Sequence, residues 1–130
     1  MSELTTVMAF DYGTRRVGVA VGNSVSRSGQ ALKTIATPNI DELFREIEGL
    51  LKEWRPNQLV VGLPMHPDGT AHEMTAKAKR FGNQLNGRFS LPVAWVDERY
   101  TSAVLEGKPE MRDNLDAQSA ALILEQYFAG

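Results

Sequence analysis

Two short apolar runs near the start of the chain have the pattern of β-strands. Residues 7–10 and residues 17–21 are rich in apolar and β-branched side chains, and a glycine and the charged segment 14–16 separate them. Runs of this length, bounded by turn residues, are typical of strands. The pattern therefore predicts an N-terminal hairpin, followed by a third strand at residues 31–37.

A helix is predicted to begin directly after Pro38. Asn39 and Glu42 have the spacing of a capping box, in which each side chain accepts a hydrogen bond at the start of a helix. Apolar side chains then recur at helical spacing from Ile40 to Trp54, while the opposite face is charged. This pattern indicates a helix with one buried face, which Pro56 is expected to end.

The rest of the chain alternates between strand and helix patterns. A strand is predicted at residues 58–63, and a helix follows a second capping pair that consists of Thr70 and Glu73. The remaining predicted elements are a strand at residues 91–96, a short helix at residues 101–106 and a final helix at residues 116–128. Antiparallel strands followed by strand–helix–strand units predict an α/β fold, with a mixed five-stranded sheet flanked by helices.

Length and composition narrow the class of protein. A chain of 130 residues, 42% hydrophobic and 23% charged, is expected to form a single globular domain over residues 1–130. It has no cysteine, no signal-peptide pattern and no apolar stretch near the roughly 20 residues that a membrane span needs. We therefore expect a cytoplasmic protein without a membrane partner. The net charge of −2 implies that any polyanion binds a local basic patch.

Acidic residues stand at three element ends that this topology can bring together. Asp11 closes the first strand, Asp97 and Glu98 follow the strand at residues 91–96, and Asp116 opens the last helix. A carboxylate in an apolar strand is costly to bury unless it is paired, hydrogen-bonded or bound to a cation. Because neighbouring strand residues face opposite ways, only one of Asp97 and Glu98 is expected to join such a site.

A divalent cation would relieve the repulsion between converging carboxylates. Oxygen ligands without histidine or thiolate favour Mg²⁺ or Mn²⁺. Two such ions can activate water and stabilise the leaving oxygen in phosphodiester hydrolysis. The acidic residues therefore indicate a metal-dependent nuclease.

Four motifs, in order along nearly the whole chain, resemble the YqgF/RuvX family. They are FDYGTRRVGVAVG at residues 10–22, VGLPMHPDGT at residues 61–70, DERYTS at residues 97–102 and DAQSAALILEQYF at residues 116–128. The resemblance implies a ribonuclease H-like fold related to the Holliday junction resolvases. It also implies a nuclease that matures the 5′ end of the precursor of 16S ribosomal RNA, so that RNA is the expected partner.

The resemblance also assigns the site residues. The family's acidic centre corresponds to Asp11, Glu98 and Asp116, as catalytic residues and metal ligands, so that Glu98 is selected over Asp97. The segment 106–115 departs from the family pattern, because it is shorter than usual. From the residues themselves, we expect nucleic-acid contacts from Arg15, Arg16 and Arg99 beside the proposed site. Lys77, Lys79 and Arg80 could extend these contacts as an outer track, and their alternative explanation is a solvated helix surface.

Each acidic residue also has a purely structural explanation. Asp116 fits a helix N-cap, and Asp97 and Glu98 fit surface charges paired with Arg99. Asp11 is harder to explain in this way, because apolar residues precede it and a second apolar run follows.

Other functions fit parts of the sequence. The Asp-x-Gly-Thr motif resembles the phosphate loop of the actin and sugar-kinase superfamily, although this chain has room for only one of the two lobes of an ATP-binding protein. A non-catalytic nucleic-acid-binding module is a second alternative, since fold does not determine function. A resolvase acting on Holliday junctions or other branched DNA is a third.

Overall fold

Within the ranges that the structure describes, the chain forms five strands and three helices. The computed structural model describes residues 5–13, 15–36, 39–64, 68, 73–97 and 115–129. The elements, in chain order, are β1 (Thr6–Tyr12), β2 (Arg16–Asn23), β3 (Gln30–Ala36), α1 (Ile40–Trp54), β4 (Gln58–Leu63), α2 (Glu73–Phe89), β5 (Val93–Asp97) and α3 (Leu115–Ala129).

The strands form one mixed sheet in the order β3-β2-β1-β4-β5. β1 is antiparallel to β2, β2 is antiparallel to β3, and both β1–β4 and β4–β5 are parallel pairs. The predicted α/β fold with a mixed five-stranded sheet is therefore confirmed. β1 lies at the centre of the sheet, so its backbone is hydrogen-bonded on both sides.

Helices cover both faces of this sheet. On one face, Met8 and Phe10 of β1 pack with side chains of α1 and α2, and the rings of Phe44 and Phe10 each lie within 6 Å of the Phe81 ring centroid. On the other face, Val7 and Ala9 pack with α3. Successive residues of β1 thus point to opposite faces, as the strand pleat requires.

Helix α1 begins as its capping pattern predicts. The side-chain oxygen of Asn39 accepts a hydrogen bond of 2.8 Å from the backbone N–H of Glu42. Arg55 ends the helix in a left-handed conformation, with φ at 48°, one residue before Pro56. Ile40, expected on the buried stripe, is instead 47% exposed, because it starts the helix beyond the edge of the core.

Two predictions of secondary structure fall outside the described ranges. These are the capping role of Thr70 and the short helix at residues 101–106. None of the helices in the described ranges is both long and apolar enough to cross a bilayer.

Helix α3 lies unusually close to β2, because both elements present small residues. Ala117, Ala120 and Ala121 of α3 are all buried. A β-carbon added to Gly18 of β2 would lie 1.8 Å from the backbone oxygen of Asp116. Backbone therefore packs directly on backbone here, and only glycine fits at position 18.

We expect Gly18→Ala to destabilise the fold by about 1–3 kcal/mol, as is typical of overpacking. The clash is with the backbone, so that no side-chain rotation can relieve it, and the first turn of α3 must move. Urea unfolding followed by circular dichroism measures the effect.

Gly49→Ala is the matched control for this substitution. Gly49 lies within α1, and apart from its chain neighbours and the backbone of its own helix no described atom lies within 4 Å of the β-carbon it would gain. Alanine there is expected to stabilise the helix by about 0.5–1 kcal/mol. Equal stability of the two variants would contradict the close packing at Gly18.

Candidate active site at the carboxyl end of the first strand

Asp11 lies near the carboxyl end of the central strand, on the face covered by α3. Asp11 is an even number of residues away from Val7 and Ala9 in the strand, so its side chain points to the same face of the sheet. Val7 and Ala9 pack with α3. Its cross-strand partner in β2 is Gly18. Asp11 is half-buried, which matches a carboxylate at the end of an apolar strand.

Asp116 reaches the same place from the far end of the sequence. It lies in the first turn of α3, and its backbone oxygen lies directly over Gly18. Because Gly18 is the partner of Asp11 across the β1–β2 ladder, the two aspartates occupy neighbouring positions on one face of the sheet. The predicted approach of Asp116 to the first strand is thus borne out by the backbone packing.

Arg16 pairs with Asp116. Its Nε donates a hydrogen bond of 2.8 Å to Oδ2 of the aspartate, and the two side chains are 60% and 30% exposed. Arg16 begins β2, two residues before Gly18, so its side chain lies on the same face of the sheet as α3 and reaches the carboxylate from that face. The sequence predicts Arg16 as a phosphate contact, and the structure adds that this cation neutralises one of the candidate catalytic carboxylates.

The side chain of Asp97 lies on the other face of the sheet, the one covered by α1 and α2. It ends β5 opposite Leu63, which packs in the core beneath α1 and α2. Trp95, two residues earlier, lies against Gly82 of α2. The alternation of the strand therefore directs Asp97 away from Asp11. Glu98 and Arg99 lie outside the described ranges.

The remaining basic residues fall into separate groups. Lys77 and Arg80 line a surface pocket on the α2 face, next to the end of β1. Lys79 lies on the other flank of α2, since residues two apart on a helix point about 200° apart. Arg15 is exposed in the turn before β2. The predicted basic residues of α2 therefore do not form one continuous row.

Two residues that matter for the site are missed by the sequence reasoning. Gly18 makes room for Asp116, and a glycine inside an apolar strand is a recognised signal of close backbone approach. Tyr12 follows Asp11 and lines the pocket of Lys77 and Arg80. Its position on the opposite face could have been inferred from strand alternation, but its pocket depends on where α2 packs.

The comparison with protein families identifies the chain. The model of the RuvX family, described as Holliday junction resolvase, matches residues 5–130. The chain belongs to the RuvX family. The sequence-based recognition of this family is thereby confirmed.

Close relatives span most of the same length. A protein of Polynucleobacter necessarius subsp. necessarius is 78% identical over 124 residues, which cover 95% of this chain and 84% of the relative. A protein of Paraburkholderia xenovorans is 56% identical over 131 residues, covering 96% of this chain and 88% of the relative. Both are named "Putative pre-16S rRNA nuclease".

Solved structures confirm the type of fold. Thermus thermophilus RuvC in complex with a Holliday junction substrate superposes with a TM-score of 0.61 at 17% identity, covering 96% of this chain and 94% of RuvC. A second structure of Thermus thermophilus RuvC gives a TM-score of 0.59 at 15% identity, over 95% and 94% of the two chains. The ribonuclease H-like fold predicted from the sequence is therefore confirmed.

Proposed function

We propose that this RuvX protein is a nuclease that hydrolyses phosphodiester bonds at a reaction centre containing Asp11 and Asp116. The observation that carries the proposal is the packing of Asp116 over Gly18, the strand partner of Asp11. Two carboxylates from opposite ends of the chain thereby share one end of the sheet. The names of the relatives and the family description support a nuclease.

The donor atoms at this place fit a divalent cation. Asp11 and Asp116 offer carboxylate oxygens, which Mg²⁺ and Mn²⁺ prefer, and the Arg16 guanidinium already lies against Asp116 as a positive counter-charge. Within the described ranges no group of three potential ligands occurs. We therefore assign the third carboxylate to Glu98, which lies outside them.

The choice of Glu98 has a geometric argument besides the family resemblance. Its neighbour Asp97 points to the α2 face, together with Trp95. Adjacent residues of a strand alternate between faces, so that a carboxylate on the α3 face must come from a position other than Asp97.

The roles of the chain's own residues follow from this arrangement. When bound, Mg²⁺ or Mn²⁺ would activate water and stabilise the leaving oxygen. Asp11, Glu98 and Asp116 would hold the cation, and Asp11 is anchored for this purpose by the central strand. Arg16 would bind a substrate phosphate once the cation takes its place at Asp116, with Arg15 and Arg99 as further phosphate contacts.

We propose precursor 16S ribosomal RNA as the substrate, on the names of the two relatives, and its 5′ end as the place of cleavage, on the family resemblance of the sequence. Branched DNA is the second candidate, because the family description is Holliday junction resolvase. Cleavage of a precursor-RNA fragment and of a four-way DNA junction, under the same metal conditions, separates the two.

Asp11→Asn is expected to lower the cleavage rate at least about a hundredfold while the protein stays folded. The substitution keeps the shape of the side chain but removes the charge that would hold the cation, and such a metal contributes several kcal/mol to transition-state stabilisation. Cleavage of end-labelled RNA and DNA in Mg²⁺ or Mn²⁺ measures the rate.

The matched control is Asp97→Asn. It makes the same chemical change in an exposed aspartate at the end of a parallel strand, but on the opposite face. We expect it to cleave like the parent. Parental activity in Asp11→Asn would assign the cleavage to another site.

Arg16→Ala is expected to tighten Mn²⁺ binding, by up to about fivefold, because the cation no longer competes with the guanidinium for Asp116. The upper limit of about fivefold in affinity corresponds to the roughly 1 kcal/mol that an exposed ion pair contributes at most. Titration with Mn²⁺, followed by electron paramagnetic resonance, gives the affinity without reference to cleavage.

Lys33→Ala serves as the control for this titration. Lys33 forms an exposed ion pair with Glu46, at 3.2 Å, on other elements of the fold. Its loss also removes one positive charge but leaves the candidate site intact. If both variants bind Mn²⁺ equally tightly, the pair at Asp116 does not compete with the cation.

A further inference from the structure

A basic pocket opens on the α2 face of the sheet, beside the candidate active site. It has a volume of about 370 Å³ and is lined by Tyr12, Ile40, Lys77, Arg80 and Gln84. Tyr12 directly follows Asp11 in β1 and points to the opposite face, where it packs on the α1 and α2 side of the core. The pocket and the carboxylates therefore lie on the two sides of one strand end.

The polar side of the pocket is one flank of α2. Lys77, Arg80 and Gln84 are spaced three and four residues apart, so they share a helix face. The adjacent line of Ala78, Phe81 and Leu85 is buried, and the sequence places no acidic residue among those lining the pocket. Neither cation forms a salt bridge with another described residue. Two positive charges are thus available to an anion.

The other side of the pocket is apolar and aromatic. The ring of Tyr12 stacks on Phe81, with a centroid distance of 4.7 Å and an interplanar angle of 26°. This contact holds the tyrosine ring on a buried residue of the core. Ile40, at the start of α1, is 47% exposed, so its apolar side chain is accessible to a bound molecule. Aromatic and apolar walls of this kind bind the flat faces of nucleobases.

We propose that this pocket binds one nucleotide of the substrate strand next to the scissile bond, with its phosphate on Lys77 and Arg80 and its base against Tyr12 and Ile40. The proposal rests on the proposed nuclease function, which places the scissile phosphate at Asp11. A strand that crosses the carboxyl end of β1 passes from the Asp11 face to the Tyr12 face. The bound nucleotide is unpaired, because a base inside a duplex is stacked and paired and cannot enter a side pocket.

Binding of a single-stranded probe tests the two cations directly. The Asp11→Asn protein, which is expected to cleave the probe at least about a hundredfold more slowly than the parent, is titrated against a fluorescein-labelled 12-nucleotide oligouridylate, and anisotropy is measured at several salt concentrations. The slope of log affinity against log salt is about −0.7 for each phosphate neutralised on a single strand. Replacing both Lys77 and Arg80 by alanine is expected to weaken binding about tenfold or more. Because two phosphate contacts are lost, the slope is expected to become shallower by about 1.4.

A charge-matched comparison separates the pocket from general electrostatics. Lys77→Ala is compared with Lys52→Ala, since both remove one exposed lysine from a helix and Lys52 lies outside the pocket. We expect the slope to change in Lys77→Ala and to stay at the parental value in Lys52→Ala. Equal changes in the two variants would overturn the proposal.

The apolar wall has its own test. Tyr12→Leu keeps an apolar side chain against Phe81 but removes the aromatic face, and stacking of one base on an aromatic side chain corresponds to about 5- to 150-fold in affinity. We expect weaker binding of the oligouridylate without a change in the salt slope. Because Tyr12 packs on the core, urea unfolding checks the fold of this variant. Unchanged affinity in the folded variant would exclude base stacking there.

The binding and cleavage experiments test the pocket proposal and the nuclease proposal separately. If the protein with Asp11 cleaves, and alanine at positions 77 and 80 changes neither the affinity nor the slope, the pocket proposal fails while the nuclease proposal stands. If the protein with Asp11 cleaves none of the substrates, the nuclease proposal fails. The anisotropy experiment then still reports whether the pocket binds a single strand.

Discussion

The candidate site depends on one close contact between backbones, that of the first turn of α3 with β2 at Gly18. A side chain at position 18 would occupy the space of the Asp116 carbonyl group. The absence of a β-carbon lets the helix approach, and the small residues Ala117, Ala120 and Ala121 continue the contact. This packing joins the last helix to the central hairpin and brings Asp116 beside the strand partner of Asp11.

The charge balance of the site follows from the same contact. Asp116 arrives at the start of β2, where Arg16 donates to its carboxylate. Without a cation nearby, two carboxylates at one strand end would repel each other. The guanidinium reduces this repulsion in the protein itself, and a divalent cation would take over the same electrostatic role in the proposed enzyme. Arg16 would then be free to bind a substrate phosphate.

The pleat of the central strand gives the site two sides. Asp11 and Tyr12 are consecutive, so that one points toward α3 and the other toward α2. Asp11 and Asp116 are on the first side, and the basic pocket of Lys77 and Arg80 is on the second. In the proposed function, such a separation would allow a protein of net charge −2 to hold a polyanion locally, because its cations would lie beside the nucleic-acid strand and its carboxylates would remain available for a metal.

The sequence alone predicted the mixed sheet and the capped start of α1 at Asn39, because hydrophobic period and capping are local patterns. The sequence also indicated Asp11, a charge within an apolar strand, as a candidate site residue. Its assignment of Glu98 stays a prediction. Only the tertiary structure decided that Asp97 faces α2, that Arg16 pairs with Asp116 and that Tyr12 lines a basic pocket. The physical reason is that these relations depend on strand register and helix packing, which join residues far apart in the chain, whereas local patterns report only on near neighbours.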